Sequence, residues 1–287
     1  MRETYIFGPV ASRRLGISLG VDLVPAKYCT LNCVYCEAGV TTELTLARRE
    51  YVPVDAVIAE LDAFLSRGPE LDYITFSGAG EPTLNSRLGD VTRFVKRKYP
   101  QYKICLLTND TLLRDEALRR DIAEIDLIMP SFDASNDEEL FRINRPAPGV
   151  TVETLAEGIR LLCTEQPGKV VLELFIVPGI NDSDASIARF AGYIRTFAVT
   201  KVQLNTLDRP GCVDWIKPSD AANTRRFIAA FEPFVPVEAV GRFRYLSPAL
   251  CRELATDEFD AGILALIGRR PSTVDDQIGR ASCRERV

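Results

Sequence analysis

The chain has 287 residues, 46% hydrophobic and 26% charged, which is ordinary material for one large globular core. Lysines and arginines number 35 against 40 aspartates and glutamates, and a formal charge of −5 carries no general footprint for nucleic acid. Histidine is absent, which removes Ser-His-Asp and Cys-His nucleophiles and leaves acid–base work to Glu, Asp, Lys, Tyr, Cys or water.

The opening Met1-Arg2-Glu3-Thr4 has no apolar core of a secretory leader, and no run reaches the ~20 apolar residues of a spanning helix. The expectation is a soluble cytoplasmic protein with no membrane partner. Residues 1–16 read as a loop in which Arg13 and Arg14 suit a solvated turn or an anion contact equally. A strand is predicted over 17–24, between Gly16 and Pro25. Then comes Lys27-Tyr28-Cys29-Thr30-Leu31-Asn32-Cys33-Val34-Tyr35-Cys36, with three of the eight cysteines spaced C-x3-C-x2-C. Thiolates are soft ligands that suit iron–sulfur clusters, zinc or copper. A cubane cluster normally takes four cysteines, so three on one loop can hold three irons and leave the fourth open for chemistry. A disulfide framework belongs to small secreted chains. Structural zinc needs a second pair of Cys or His, and a thioredoxin-like C-x-x-C would leave Cys29 without a role.

Beyond the cysteines, strands and helices alternate. Pro53 at N1 opens a helix with Val54, Val57, Ile58, Leu61, Phe64 and Leu65 on one face, stopped by Gly68-Pro69. A buried strand over 73–76 runs into Ser77-Gly78-Ala79-Gly80-Glu81-Pro82, and a helix over 86–99 follows. The next strand, 103–107, ends in Thr108-Asn109-Asp110 before a short helix over 115–123. Residues 127–129 form a strand ending in Ser131-Phe132-Asp133. Thr151 caps a helix whose stripe is Val152, Leu155, Ala156, Ile159, Leu162 and Cys163. A strand over 169–177 leads to Gly179-Ile180-Asn181-Asp182 and a helix marked by Ile187, Phe190, Ala191, Ile194 and Phe197. A strand over 201–204, a long loop over 205–215 and a helix from 219 complete about six βα units. That alternation predicts an α/β fold on a parallel sheet. In such folds the site lies at the strands' C-terminal ends, where the cysteines and the polar, glycine-rich segments fall.

The cysteine spacing, with Tyr35 just before the last cysteine, resembles the signature of the radical S-adenosylmethionine (SAM) superfamily. Gly78-Ala79-Gly80-Glu81-Pro82 resembles its Gly-Gly-Glu-Pro element, with Ala79 for a glycine. Asn109 resembles the Thr-Asn-Gly turn of many members, with Asp110 for the glycine. The resemblance covers about residues 5–250. It is nearest to the branch of wyosine-type tRNA-modifying synthases and nitrogenase-cofactor maturation proteins. It implies a partial (β/α)6 barrel with a [4Fe–4S] cluster on Cys29, Cys33 and Cys36. It also implies SAM held by Gly78, Gly80 and Glu81 at its amino group, by Asn109, Ser131 and Asp133, and by Tyr35 near the adenine. Asn181, Gln203 and Asn205 would face the same cavity. The implied reaction is reductive cleavage of SAM to a 5′-deoxyadenosyl radical that takes hydrogen from a substrate. A flavodoxin or ferredoxin would supply the electron, and the substrate could be RNA, peptide or protein. No cysteine precedes Cys29, unlike in archaeal-type wyosine synthases. The alternative is an iron–sulfur redox sensor that binds nucleic acid through a C-terminal module, against which the strand-end loops argue.

Cys105 and Cys163 read as core residues, Cys212 as a loop thiol that could meet substrate, and the basic run Arg93, Lys96, Arg97 and Lys98 as a solvated helix face. The expected organisation is a core domain over 1–250 and the start of a truncated helix-turn-helix or winged-helix-like module over 251–277. Residues 278–287 read as an adapter-derived tail, in which Cys283 has no functional role.

Overall fold

A computed structural model describes residues 4–12, 14–209, 211–240 and 245–246. The expected C-terminal module and tail, and Arg13, lie outside the described residues. Strand β1 (Ile6–Ser12) returns antiparallel on β2 (Gly16–Val21). The cysteine loop follows, holding the two-residue strands β3 (Tyr28–Cys29) and β4 (Glu43–Leu44), and then α1 (Val54–Leu65). Next come β5 (Tyr73–Phe76) with α2 (Leu88–Lys98), and β6 (Ile104–Thr108) with α3 (Glu116–Asp121). Strand β7 (Leu127–Pro130) is followed by α4 (Asp137–Ile143) and α5 (Val152–Glu165). Then β8 (Val171–Ile176) precedes α6 (Asp184–Ile194), and β9 (Lys201–Thr206) precedes α7 (Ala221–Phe231). Strands β10 (Val237–Ala239) and β11 (Tyr245–Leu246) come last.

The sheet order is β1-β2-β5-β6-β7 continuing into β8-β9-β10-β11. The two halves meet through parallel bridges Ile128↔Val170 and Ser131↔Glu173. From β2 to β10 every main-strand pairing is parallel, with the antiparallel β1 and β11 outside. This is the expected α/β architecture. Along the strands, alternate residues point to opposite faces. Leu19, Val21, Ile74, Phe76, Ile104, Leu106, Leu172, Leu174, Val202 and Leu204 meet the helices in the main core, against residues such as Val57 and Leu61 of α1 and Leu155 and Ile159 of α5. Fully burying each such apolar side chain contributes roughly 1.5–3 kcal/mol.

The opposite face is partly polar. Leu15, Cys105, Met129 and Val171 form a small apolar cluster there. Arg14, from the β1–β2 turn, pairs with Glu173 of β8, whose Oε1 also accepts from Asn205 Nδ2 at 3.1 Å. In a flat sheet, four strand spacings of about 4.8 Å would hold β2 and β8 roughly 19 Å apart, beyond an arginine's reach. The pair therefore requires the sheet to curl, with this face on the concave side, and it makes Arg14 an internal brace rather than a solvated turn residue.

Candidate functional site

The cysteine loop leaves the C-terminal end of β2 and is fixed by backbone hydrogen bonds from the neighbouring strand ends. Lys27 N donates to Ala79 O at 2.7 Å and Glu81 N to Tyr28 O at 3.0 Å, which ties it to the loop after β5. Asn32 N donates to Asn144 O at 2.8 Å, Val34 N to Ile143 O at 2.9 Å, and Ala147 N to Thr30 O at 2.9 Å, which ties it to the end of α4. Cys212 N donates to Val34 O at 3.1 Å from the loop after β9. Two glycines allow these approaches. A β-carbon at Gly80 would lie 2.2 Å from Tyr28 O, and one at Gly211 would lie 2.9 Å from Val34 O. At Gly80, which the resemblance places at SAM's amino group, the missing β-carbon admits the backbone of the cysteine loop.

Cys29, Cys33 and Cys36 are free thiols, each half-buried. Burial, with the Glu81 charge second, pushes the Cys29 thiol up to about 11. Burial, then Cys29, holds Cys33 well above its ordinary value. Iron takes the thiolate, so loading the site releases protons. Each sulfur has an N–H donor. Lys27 Nζ lies 3.1 Å from Cys36 Sγ, Asn109 Nδ2 3.4 Å from Cys29 Sγ, and Asn144 Nδ2 3.4 Å from Cys33 Sγ. Among the described residues, no three His, Cys, Asp or Glu side chains are placed to share one metal ion. A cubane asks for something else: soft sulfur donors, each on its own iron, with hydrogen bonds to the sulfurs. The three thiols and their donors fit that group.

The strand-end residues expected around SAM gather on the same side of the sheet. Glu81 is buried, and its carboxylate accepts from Thr83 N (3.1 Å), Thr83 Oγ1 (2.6 Å), Thr108 Oγ1 (2.7 Å) and Asn109 N (2.8 Å). It thereby caps the 3-10 turn Pro82–Leu84 and pins β6 to the loop after β5. Burial still raises its carboxyl above the ordinary range, against those hydrogen bonds. Gly78 packs on Asp22, whose Oδ1 accepts from Ala79 N at 3.4 Å. Asp133 is buried and accepts from Tyr35 Oη, Asn144 Nδ2 (3.0 Å) and Phe175 N (2.8 Å). Desolvation pushes it up to about 6, against those hydrogen bonds. The Tyr35 ring stacks on Phe175 with centroids 3.9 Å apart. Ser131 bridges to Glu173 between β7 and β8. Asn181 is spent internally on Val177 N, Asp133 O and Phe175 O, each at 2.8 Å, and Gln203 Nε2 reaches Glu238 at 2.9 Å. Cys212 Sγ donates to Cys36 O at 3.2 Å, so its loop lies over the cysteine loop.

Lys27, Asn144 and Glu173 were given no role by sequence reasoning. Lys27 stood inside the cysteine stretch, and its φ of +67° marks a constrained position that composition does not reveal. Asn144 follows a seven-residue helix with no motif around it. Asp110 takes the left-handed φ of +63° expected where it replaces glycine. Beside the loop, a groove of ≈ 520 Å³ is lined by Phe141, Arg142, Arg145, Pro178, Gly179, Ile180 and Trp215. Phe141 is 72% and Trp215 51% exposed, unusual for such side chains.

A curled parallel α/β sheet with three thiols at its C-terminal end defines a cluster-binding enzyme core. The chain belongs to the radical SAM superfamily, whose family model matches residues 23–191. Membership makes it an enzyme and brings a [4Fe–4S] cluster and SAM as cofactors. It is 31% identical over 246 residues to a UPF0026 protein of Methanocaldococcus jannaschii, covering 84% of this chain and 76% of that one. It is 34% identical over 209 residues to a protein of Brachyspira hyodysenteriae named GTPase Obg, covering 73% of this chain and 31% of that one. The chain thus spans about a third of the latter. Among solved structures, a radical SAM methyltransferase from Sphaerobacter thermophilus matches with a TM-score of 0.59 at 20% identity, over 78% of this chain and 66% of that one. SAM-bound SuiB from Streptococcus suis matches with a TM-score of 0.57 at 17% identity, over 84% of this chain and 54% of that one. These structural likenesses concern the fold.

Proposed function

We infer that the chain cleaves SAM reductively and uses the resulting 5′-deoxyadenosyl radical to take a hydrogen atom from a substrate bound over the cysteine loop. The observation that supports this most is three thiols on one loop at the sheet's C-terminal end, each with its own N–H donor. When bound, the cluster supplies the electron that breaks the carbon–sulfur bond, and that step needs a potential at the low end of a range of roughly −700 to +450 mV. The protein's part is to hold Cys29, Cys33 and Cys36 for iron. It also shapes the SAM pocket with Gly78, Gly80, Glu81, Asn109, Ser131, Asp133 and Tyr35. Because the Glu81 and Asp133 carboxylates are already bonded within the fold, their contribution is negative charge held in place rather than a free acceptor. The groove of Phe141 and Trp215 beside the loop is the route by which substrate arrives.

The electron comes from a low-potential donor such as flavodoxin or ferredoxin. Residues 1–250 act as the catalytic domain, followed by the module and tail read from the sequence. No described helix is long and apolar enough to cross a membrane. A reducing cytoplasm is the compartment that suits a cluster held by free thiols. Anaerobic reconstitution followed by SAM and dithionite is the test. About four irons and four sulfides per chain are expected, with formation of 5′-deoxyadenosine and methionine. Alanine at Cys29, Cys33 or Cys36 should abolish both. Stoichiometric zinc without sulfide would sink the reading.

A further inference from the structure

Three side chains from three different parts of the chain point one N–H each at the three cysteine sulfurs. Lys27, just ahead of the cysteines, reaches Cys36 Sγ at 3.1 Å; Asn109, at the end of β6, reaches Cys29 Sγ at 3.4 Å; Asn144, at the end of α4, reaches Cys33 Sγ at 3.4 Å. Neither amide can be turned round without loss. Asn144 Nδ2 also donates to Asp133 Oδ2 at 3.0 Å, which the same nitrogen must face. Asn109 Oδ1 accepts from the Thr111 backbone N–H at 3.4 Å, which fixes the amide, and its Nδ2 is shared between Thr30 Oγ1 at 2.8 Å and the sulfur. Lys27 is buried, so its ammonium acts on Cys36 with little screening.

We propose that Lys27, Asn109 and Asn144 together set the reduction potential of the cluster, each through one N–H···S contact to a different cysteine; this rests on the cluster reading of Cys29, Cys33 and Cys36. Reduction adds one electron from the low-potential donor, and no covalent bond is made or broken. The added charge is shared with the ligand sulfurs, so a donor aimed at a sulfur favours the reduced state and raises the potential. Lys27 has the largest effect because it adds a full positive charge, whereas the two amides add dipoles. The three act as positioning and tuning residues; Asn109 also borders the SAM pocket, so Lys27 and Asn144 carry the cleaner tests.

The test is an anaerobic redox titration of the reconstituted full chain, followed by the spin resonance signal of the reduced cluster. Iron and sulfide are assayed on the same samples. Lys27→Met should keep iron and sulfide and lower the midpoint, making reduction about tenfold less favourable, which is about 59 mV for one electron. Lys27→Arg, which keeps charge and donor, should restore the wild-type midpoint. Asn109→Ala and Asn144→Ala should each shift it the same way by less. A wild-type midpoint in fully loaded Lys27→Met and Asn144→Ala would overturn the proposal. Loss of iron from every one of these variants would overturn it too, in favour of a purely architectural role. Failure of the underlying reading looks different, because the wild type itself would then hold no sulfide.

Discussion

Asp110 is buried beside the site without compensation. It is 1% exposed, and neither carboxylate oxygen has a hydrogen-bond partner. Burial, with Asp133 and Glu81 adding to it, holds its carboxyl well above the ordinary 3.8, which favours its neutral form in the folded chain. A group whose folded value is raised contributes its stability in full below the unfolded value. That contribution is lost as pH climbs toward the folded value. Asp110→Asn tolerates the same left-handed backbone and cannot ionise. Its melting temperature relative to wild type should therefore rise steadily as pH is taken upward from about 4. Parallel thermal scans across pH check this, and a constant difference would mean that Asp110 is not held neutral. The sequence made the backbone conformation here legible, since Asp stood in a glycine's place. It did not reveal the missing partner, which depends on how Glu81 and Asp133 from neighbouring strands surround the position.

At the scale of elements, hydrophobic periodicity located every main strand from β2 to β9 and the helices α1, α2, α3, α5, α6 and α7. The departures include edge strand β1 and the short helix α4. Strand β1 reads as a loop because Gly8 and Pro9 interrupt it, yet an edge strand admits both where its register with β2 shifts between Phe7 and Val10. Helix α4 was missed because seven residues carry little periodicity; it is set by Asn136, whose side chain accepts from Glu139 N at 3.0 Å. Pro53 occupies the N-cap of α1 rather than its first turn. The candidate cysteines were legible because their ligand chemistry is written in their spacing, while the contact between loops was not. Gly80 is where the loop after β5 meets the cysteine loop, and a β-carbon there would also lie 2.6 Å from Val24 Cγ2. Gly80→Ala should cost about 1–3 kcal/mol as overpacking against a backbone carbonyl, and it should reduce iron per chain. Denaturation and iron assay decide it. Unchanged values in both would mean that the two loops are not in contact.

Over the whole molecule, the curl of the sheet was the feature least visible in the sequence. Counting βα units gives the number of strands but not their closure. Closure shows in Arg14 crossing from the β1–β2 turn to Glu173, and in Leu15 joining Cys105, Met129 and Val171 on the concave face. The β1–β2 edge is thus braced to β8 independently of the cluster. The cysteine loop, by contrast, has only the two-residue strands β3 and β4 of its own, and it is tied to loops after β5, β6 and β9 and to the end of α4. A group bonded to all three cysteines closes that assembly. Because a ligand held by the folded state stabilises what must be ordered to bind it, removal should act locally before it acts globally. Chelating the iron from the reduced, reconstituted chain should lower its melting temperature. It should also raise amide hydrogen exchange in residues 27–45, 78–82, 109–111, 144–147 and 211–213, while β5, β6, β7 and β8 keep their protection through the helix-covered core. Equal loss of protection in those strands would mean that the fold depends on the cluster throughout. No change in the loops would mean that the polypeptide alone holds the cysteines in place.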